Sequence, residues 1–327
     1  MLFMLRTFLA PALAPVLAAF LLLPHAAAAQ ETQANPYGFT QDYDPDPAMW
    51  VLADEDTTIY MLGTFHALPR GFEWRSERLE SVIAEADALY LETTDFDLSL
   101  EAVDVDTKLV ERLSRRELTS DRLSAEGAER WRQLVHLSGQ DFATVDEMPL
   151  LLALLTMGTI TGEAAFASSY LYGVETVLER EFRASNRPIF AIEDSGAVMY
   201  SLIRMDGDNL LAELDSRLQA WDGKQVASFY DADYVEVTGD AFWEAEHNWA
   251  RGIVADDFDL GFGDGAINDA FSVNLLDRRN AQWAEWVEAK LEEPGTILLA
   301  VGAGHFEGDA SLLEMLEARG LVAQRIE

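Results

Sequence analysis

The 327 residues contain no cysteine. That excludes disulfides, cysteine-ligated zinc and thiol catalysis, and it leaves the chain indifferent to the redox state of its surroundings. Positive charge is scarce, with 23 Lys and Arg against 58 Asp and Glu and a net charge of −35. Such a surface repels phosphate backbones, so a nucleic-acid partner is not expected. Beyond the first 30 residues no apolar run approaches the length of a membrane span. Several signatures are missing too. There is no H-E-x-x-H, no P-loop, and no dinucleotide spacing around Gly302-x-Gly304. Ser195 lacks the flanking glycines of a nucleophile elbow, which disfavours a serine hydrolase.

The one long apolar run is the N-terminus, MLFMLRTFLAPALAPVLAAFLLLPHAAAAQ. An early Arg6, an apolar stretch to Leu23 and Ala27-Ala28-Ala29 read as a signal peptide over 1–29, with cleavage before Gln30. Export to the periplasm or the medium follows, with no stable membrane span after cleavage. Pro11, Pro15 and the alanine tract argue against an uncleaved anchor. The mature chain would hold 298 residues with 22 basic and 58 acidic side chains, a net charge of −36. Its polar start, QETQANPYGFTQDYDPDPA, reads as a flexible leader over 30–48, ahead of a single domain over 49–327.

Within that domain the strand predictions are Thr57 to Leu62, Ala88 to Leu91, Ile189 to Ile192 and Thr296 to Val301. Helical spacing is predicted from Arg75 to Asp87, from a cap at Asp121 to Leu137, from Glu147 to Thr161, and from Tyr172 to Ser185. A long helix is predicted from Asp269 to Glu292, and a last one capped by Asp309. Leu321 to Ile326 reads as an edge strand. Strand, helix, strand over 57–91 implies a right-handed βαβ unit. The fold class expected is α/β, a mostly parallel central sheet flanked by helices, with a helical insertion over about 98–169 forming a cap.

The four apolar strands share one feature. Two run into Gly-x-x-His, namely Gly63-Thr64-Phe65-His66 and Gly302-Ala303-Gly304-His305, and two end at Glu92 and Glu193. In open α/β sheets the ligand crevice lies at the carboxyl ends of the strands. Two imidazoles and two carboxylates gathered there would be costly to bury uncompensated, so a cation is expected to enter or one group to protonate. Mixed His and Glu ligation suits Zn²⁺, Mn²⁺, Co²⁺ or Fe²⁺, with His66, His305, Glu92 and Glu193 as ligands. An open coordination position implies metal-assisted hydrolysis, with one of the two glutamates as base. A metal-free version would use a His as base and a Glu as acid. Arg278 and Arg279 lie before the last long strand, and Arg279 is a candidate to reach the site and bind a substrate carboxylate. Glu175 starts a helix, where an acid is favoured in any case. His136 and His247 have no ligand-spaced partner. Asp257 to Gly261 resembles half a calcium loop that lacks its closing Glu, and reads as an acidic lid. The tryptophans, Trp283 among them, read as core packing.

The segments YMLGTFHALP with Trp74 close behind, ADALYLET, YGVETVLEREFRASNRPIFAIED and DRRNAQWAEWVEAKLEEPGTILLAVGAGHFEGDASLLEMLEARG resemble the TraB/GumN family from about Thr57 onward. That family is similar to the Tiki metalloproteases and belongs with the erythromycin-esterase (EreA) and ChaN haem-binding folds. The resemblance implies an α/β fold, His66 and His305 as paired functional histidines, and Glu92 and Glu193 on the family's acidic strand ends. It also implies metal-dependent cleavage of a peptide or small-molecule substrate, with Mn²⁺ or Co²⁺ rather than Zn²⁺. The alternative it implies is a metal- or haem-binding protein without catalysis. Two departures stand out. Glu175 occupies a position where the family often has Asp, and Val198 stands where the family has a glutamine.

Overall fold

The computed structural model describes residues 38–94, 115–159, 168–205, 207–231, 233, 235–256 and 263–326. The predicted signal segment, the calcium-like half-loop and part of the helical insertion lie outside these residues.

A six-stranded sheet forms the centre. Its strands are β1 (Met49–Ala53), β2 (Thr57–Thr64), β4 (Ala88–Leu91), β6 (Ile189–Ala191), β7 (Gly295–Gly302) and β8 (Gln324–Arg325). The order across the sheet is β6-β4-β7-β2-β1-β8. The first four run parallel, while β1 pairs antiparallel with both β2 and β8. A separate two-stranded ribbon joins β3 (Leu68–Pro69) to β5 (Ser168–Ser169). β2 and β7 are buried on both faces, which is why they read as continuous apolar runs. They pair over eight residues, from Thr57 opposite Gly295 to Thr64 opposite Gly302. The pairing brings both Gly-x-x-His exits to the same edge.

One face of the sheet carries α1 (Glu77–Glu85) and α4 (Val174–Ala184), where Leu79, Val82, Ile83, Leu178 and Phe182 pack on Leu62, Leu89 and Leu298. The other face carries α8 (Arg278–Lys290) and α9 (Leu312–Glu317). There Trp283, Val287, Leu312 and Leu316 pack on Ile59, Met61 and Leu299. A third core is wholly helical. It joins α2 (Ala125–Leu137), α3 (Leu150–Thr159), α5 (Ser195–Arg204), α6 (Asp208–Ala220) and α7 (Ala266–Ser272) around Trp131, Leu151, Leu214 and Phe271.

Several expected boundaries shift for local reasons. Ser124, not Asp121, caps α2, its hydroxyl accepting from the Gly127 N–H at 3.1 Å. Ser311, not Asp309, caps α9. The single helix expected from Asp269 to Glu292 is α7, a π-helical turn over Val273–Asp277, then α8. The expected last strand shortens to Gln324–Arg325, with the Ile326 N–H still donating to the Met49 carbonyl of β1 at 2.9 Å. The β1–β2 hairpin was not among the predicted elements; Asp54 closes its turn by accepting from the Asp56 and Thr57 N–H groups. Residues 38–47, expected as part of a flexible leader, are pinned to the domain. Gln41 exchanges hydrogen bonds with the Glu73 backbone at 2.8 and 2.7 Å, and the Tyr43 hydroxyl meets His247 Nδ1 at 2.7 Å.

Candidate active site

The four parallel strands deliver their exit residues to one edge. His66 follows β2 by two residues, Glu92 follows β4 directly, Glu193 follows β6 by two, and His305 sits in the 3₁₀ turn after β7. Glycine eases the gathering. A Cβ on Gly63 would stand 3.1 Å from the Ala303 Cα and 3.3 Å from the Phe306 ring, so a side chain there would press the two exits apart by a few tenths of an ångström. A Cβ on Gly302 would lie 3.2 Å from Glu92 Oε1, 3.6 Å from His66 Nε2 and 3.6 Å from His305 Cδ2. All three side chains therefore border one small hollow beside residue 302.

Each imidazole is clamped through Nδ1. His66 Nδ1 lies 2.6 Å from Glu175 Oε1, an oxygen that also accepts from the Thr64 hydroxyl. His305 Nδ1 lies 2.7 Å from Asn280 Oδ1, and the Trp283 ring leans on the imidazole with centroids 4.2 Å apart. Both Nε2 atoms are left for the hollow, and His305 Nε2 is 3.7 Å from Glu92 Oε1.

The two glutamates meet a cation of the protein's own. The Arg279 guanidinium donates to both oxygens of Glu193 (3.1 and 2.9 Å from Nε) and also to Glu92. Its remaining nitrogen donates to the Leu275 carbonyl at 2.9 Å, within the π-helical turn Val273–Asp277. The Glu193 carboxylate also accepts from Trp283 Nε1 at 3.1 Å, and Glu92 from the Gly302 N–H at 2.7 Å.

Charge follows this wiring. The Glu175 carboxylate raises His66 to about 9, a pull that solvent weakens because the His66 side chain is 58% exposed. Burial lowers His305 to about 3, reinforced by Arg279 and His66 and opposed by Glu92. Burial alone would raise Glu92, but Arg279, His305, His66 and the Gly302 N–H hold it well below the carboxylate range. Burial raises Glu193, and Arg279 only partly offsets it. Glu92 and Glu193 together hold Arg279 charged.

Arg279 supplies one positive charge to the two buried acids, so the expected pull on an external cation is reduced to that of the second acid, whose pKa burial raises. Arg279 is spent on Glu92, Glu193 and Leu275, in place of the substrate carboxylate expected for it, whereas Arg278 is exposed and pairs with Asn274. Among the described residues no three His, Asp or Glu side chains stand close enough to hold a metal as placed. The donor chemistry still fits one, since two clamped imidazoles and a carboxylate oxygen face the hollow at Gly302. Glu193 is not part of that set, being taken up by Arg279 and Trp283. His136 and His247 lie elsewhere, on α2 and on the helix Glu244–Ala250.

A family model described as TraB/PrgY/gumN matches residues 48–325. The chain belongs to the TraB/PrgY/gumN family. No curated protein and no solved structure matches it. The family match covers every site residue named here, including three beyond those expected: Glu175, which reads as a helix-terminus acid, Trp283, which reads as core packing, and Asn280. A signal existed for the last two: Arg279, Asn280 and Trp283 are spaced i, i+1 and i+4 on a helix that runs into the β7 Gly-x-x-His strand.

Proposed function

We propose that this TraB/PrgY/gumN protein is an exported metal-dependent hydrolase of the peptidase type, acting in the periplasm or the medium. The observation that supports it most is the convergence of His66 Nε2, the His305 ring and Glu92 Oε1 on the hollow at Gly302, with both Nδ1 atoms held from behind. His66, His305 and Glu92 would hold a divalent cation, Mn²⁺, Co²⁺, Zn²⁺ or Fe²⁺. Such a cation supplies Lewis acidity and lowers the pKa of bound water. Glu175 and Asn280 orient the two rings. Arg279 keeps Glu92 ionised, and Glu193 fixes the guanidinium against α8. The first 29 residues carry the export part of the reading.

One observation favours a second version. Because Arg279 ion-pairs with both glutamates, it neutralises one of the two charges, and burial, which raises Glu193, favours protonation of that acid over entry of a cation. His305, neutral near pH 7 with its Nδ1 held by Asn280, would then be the proton acceptor without metal, a base weakened by its burial.

The test is metal analysis of the purified mature protein, followed by peptide and ester cleavage with and without chelator. Bound metal and chelator-sensitive turnover that is lost in His66→Ala are expected. Chelator-resistant turnover lost in His305→Ala would favour the metal-free version. Bound metal or haem without turnover would favour a binding protein. Turnover surviving replacement of both histidines would end the assignment.

A further inference from the structure

Asn280 is 1% exposed and bonds in two directions. Its Nδ2 donates to the Ala310 carbonyl at 2.8 Å, and its Oδ1 lies 2.7 Å from His305 Nδ1. A backbone carbonyl can only accept, so the amide nitrogen must be the atom facing Ala310 and the oxygen must face the histidine. An amide oxygen also only accepts, so His305 Nδ1 must carry a proton. In a neutral imidazole the lone pair is then on Nε2. This orientation follows from the partners, independently of how the two amide atoms were assigned.

The rest of the environment suits that tautomer. His305 is 4% exposed, so water cannot substitute for the amide. The Trp283 ring, inclined at 41°, limits the tilt of the imidazole, and the 3.7 Å between Nε2 and Glu92 Oε1 is too long for the Nε2–H hydrogen bond that would favour the other tautomer. An Nε2–H form would leave Nδ1 with its lone pair against the Asn280 oxygen, a repulsive contact in a buried place.

We propose that Asn280 is a positioning residue. It fixes His305 as the Nδ1–H tautomer and keeps the Nε2 lone pair aimed at the hollow beside Gly302. The proposal rests on the reading that this site uses that lone pair, whether toward a cation or toward a proton. Asn280 touches neither substrate nor metal; it acts through His305.

The experiment is long-range ¹H–¹⁵N correlation on metal-free mature protein with labelled histidine, at about pH 8, well above the ordinary histidine pKa of about 6.5. Wild type should give an Nδ1–H, Nε2-lone-pair pattern for His305, assigned by its loss in His305→Gln. Asn280→Asp, whose carboxylate also accepts, should keep the pattern. Asn280→Leu should shift the ring toward Nε2–H. Turnover, where present, should fall about 10- to 100-fold in Asn280→Leu, in kcat rather than KM, with Asn280→Asp recovering most of it. An Nε2–H pattern in wild type would overturn the proposal, and that result does not depend on any variant folding. So would a natively folded Asn280→Leu that retains Nδ1–H. The wild-type tautomer without any turnover would support the role of Asn280 while removing the hydrolase reading.

Discussion

Arg279 shows how one side chain can set the electrostatics of a whole pocket. Its guanidinium is 12% exposed and shared by Glu92 and Glu193, at 15% and 8%. Removing one member of a buried ionic cluster costs roughly 3–5 kcal/mol, because the partners remain buried and uncompensated. Arg279→Met should therefore lose about that much stability at pH 7, measured by denaturant unfolding. The pH dependence follows in sign. Without Arg279 burial raises both carboxyls, and on acidification they take up protons in the folded state before they do in the unfolded one. The deficit of the variant should therefore shrink as pH falls from 7 toward 5. A pH-independent deficit would mean the guanidinium serves only as packing. The two histidines pull the wild type in opposite directions. His66, raised to about 9, stabilises the fold fully below about 6.5, an effect lost as pH rises through 9. His305, lowered to about 3, stabilises it above about 6.5, an effect lost as pH falls toward 3. Replacing His66 by Asn should flatten the alkaline side of a melting-temperature profile and leave the acid side. At this scale the letters showed which groups met at the sheet edge but not how they were wired. The pairing of Arg279 with two acids, or of Glu175 with His66, depends on side-chain reach across 86 to 187 residues in the Arg279 pairs and 109 in the other.

Among the elements, β2, β4 and β7 and their exits are legible because well-buried strands stand out as apolar runs, whereas β6, an edge strand with Phe190 45% exposed, is marked by the Asn186-Arg187-Pro188 break before its apolar residues. The hairpin partner β1 was not, since MWVLA is short and sits beside an acidic, proline-rich stretch. The π-helical turn was equally hidden. Nothing in VNLLD departs from a helical pattern, yet the turn carries the Leu275 carbonyl that anchors Arg279. Two glycines separate construction from function within these elements. Gly173 has φ −59° and ψ 148°, open to any residue, but a Cβ there would fall 1.9 Å from the His66 carbonyl oxygen. Gly173→Ala must push the β2 exit away from α4. It should destabilise by about 1–3 kcal/mol and disturb His66 as well. Gly302→Ala meets nothing closer than 3.2 Å and has φ −49°. It should melt within a few degrees of wild type while filling the hollow and abolishing metal binding or turnover. A Gly302→Ala protein of full activity would show that the hollow is not where the chemistry occurs.

At the scale of the molecule, the sheet, its two helical faces and the helical third core were foreshadowed by apolar periodicity, whereas the N-terminal strap was not. Composition alone marks residues 38–47 as a leader, because Asp, Pro and Gly dominate them. What composition could not show is that the few aromatics among them have a prepared seat. Phe39 packs against Phe72 and His247 at centroid distances of 5.3 and 6.2 Å, and Arg251 stacks on Tyr43 at 4.0 Å. Thr40 donates its N–H to Asp240 at 2.6 Å, the Asp46 N–H binds the Ala250 carbonyl at 2.7 Å, and Arg78 bridges Asp46 to the Ile326 carbonyl. These contacts tie the start of the domain to the helix Glu244–Ala250 and to the end of the chain. That helix in turn holds the β2 exit, since Trp249 Nε1 donates to the Gly63 carbonyl at 2.8 Å. The strap is thus one residue-to-residue step removed from the loop that carries His66. Phe39 is only half-buried, so Phe39→Ala with Tyr43→Phe should cost on the order of 2–3 kcal/mol. For a chain of this size that is a drop of about 3–5 °C in melting temperature. A protein begun at Ala48 should lose at least as much, and hydrogen exchange should rise first at Trp249 and along 63–66. If the shortened protein instead melts like the full one and its β2 exit stays protected, the strap merely lies on the surface, and the rigidity of His66 comes from Glu175 and Gly173 alone.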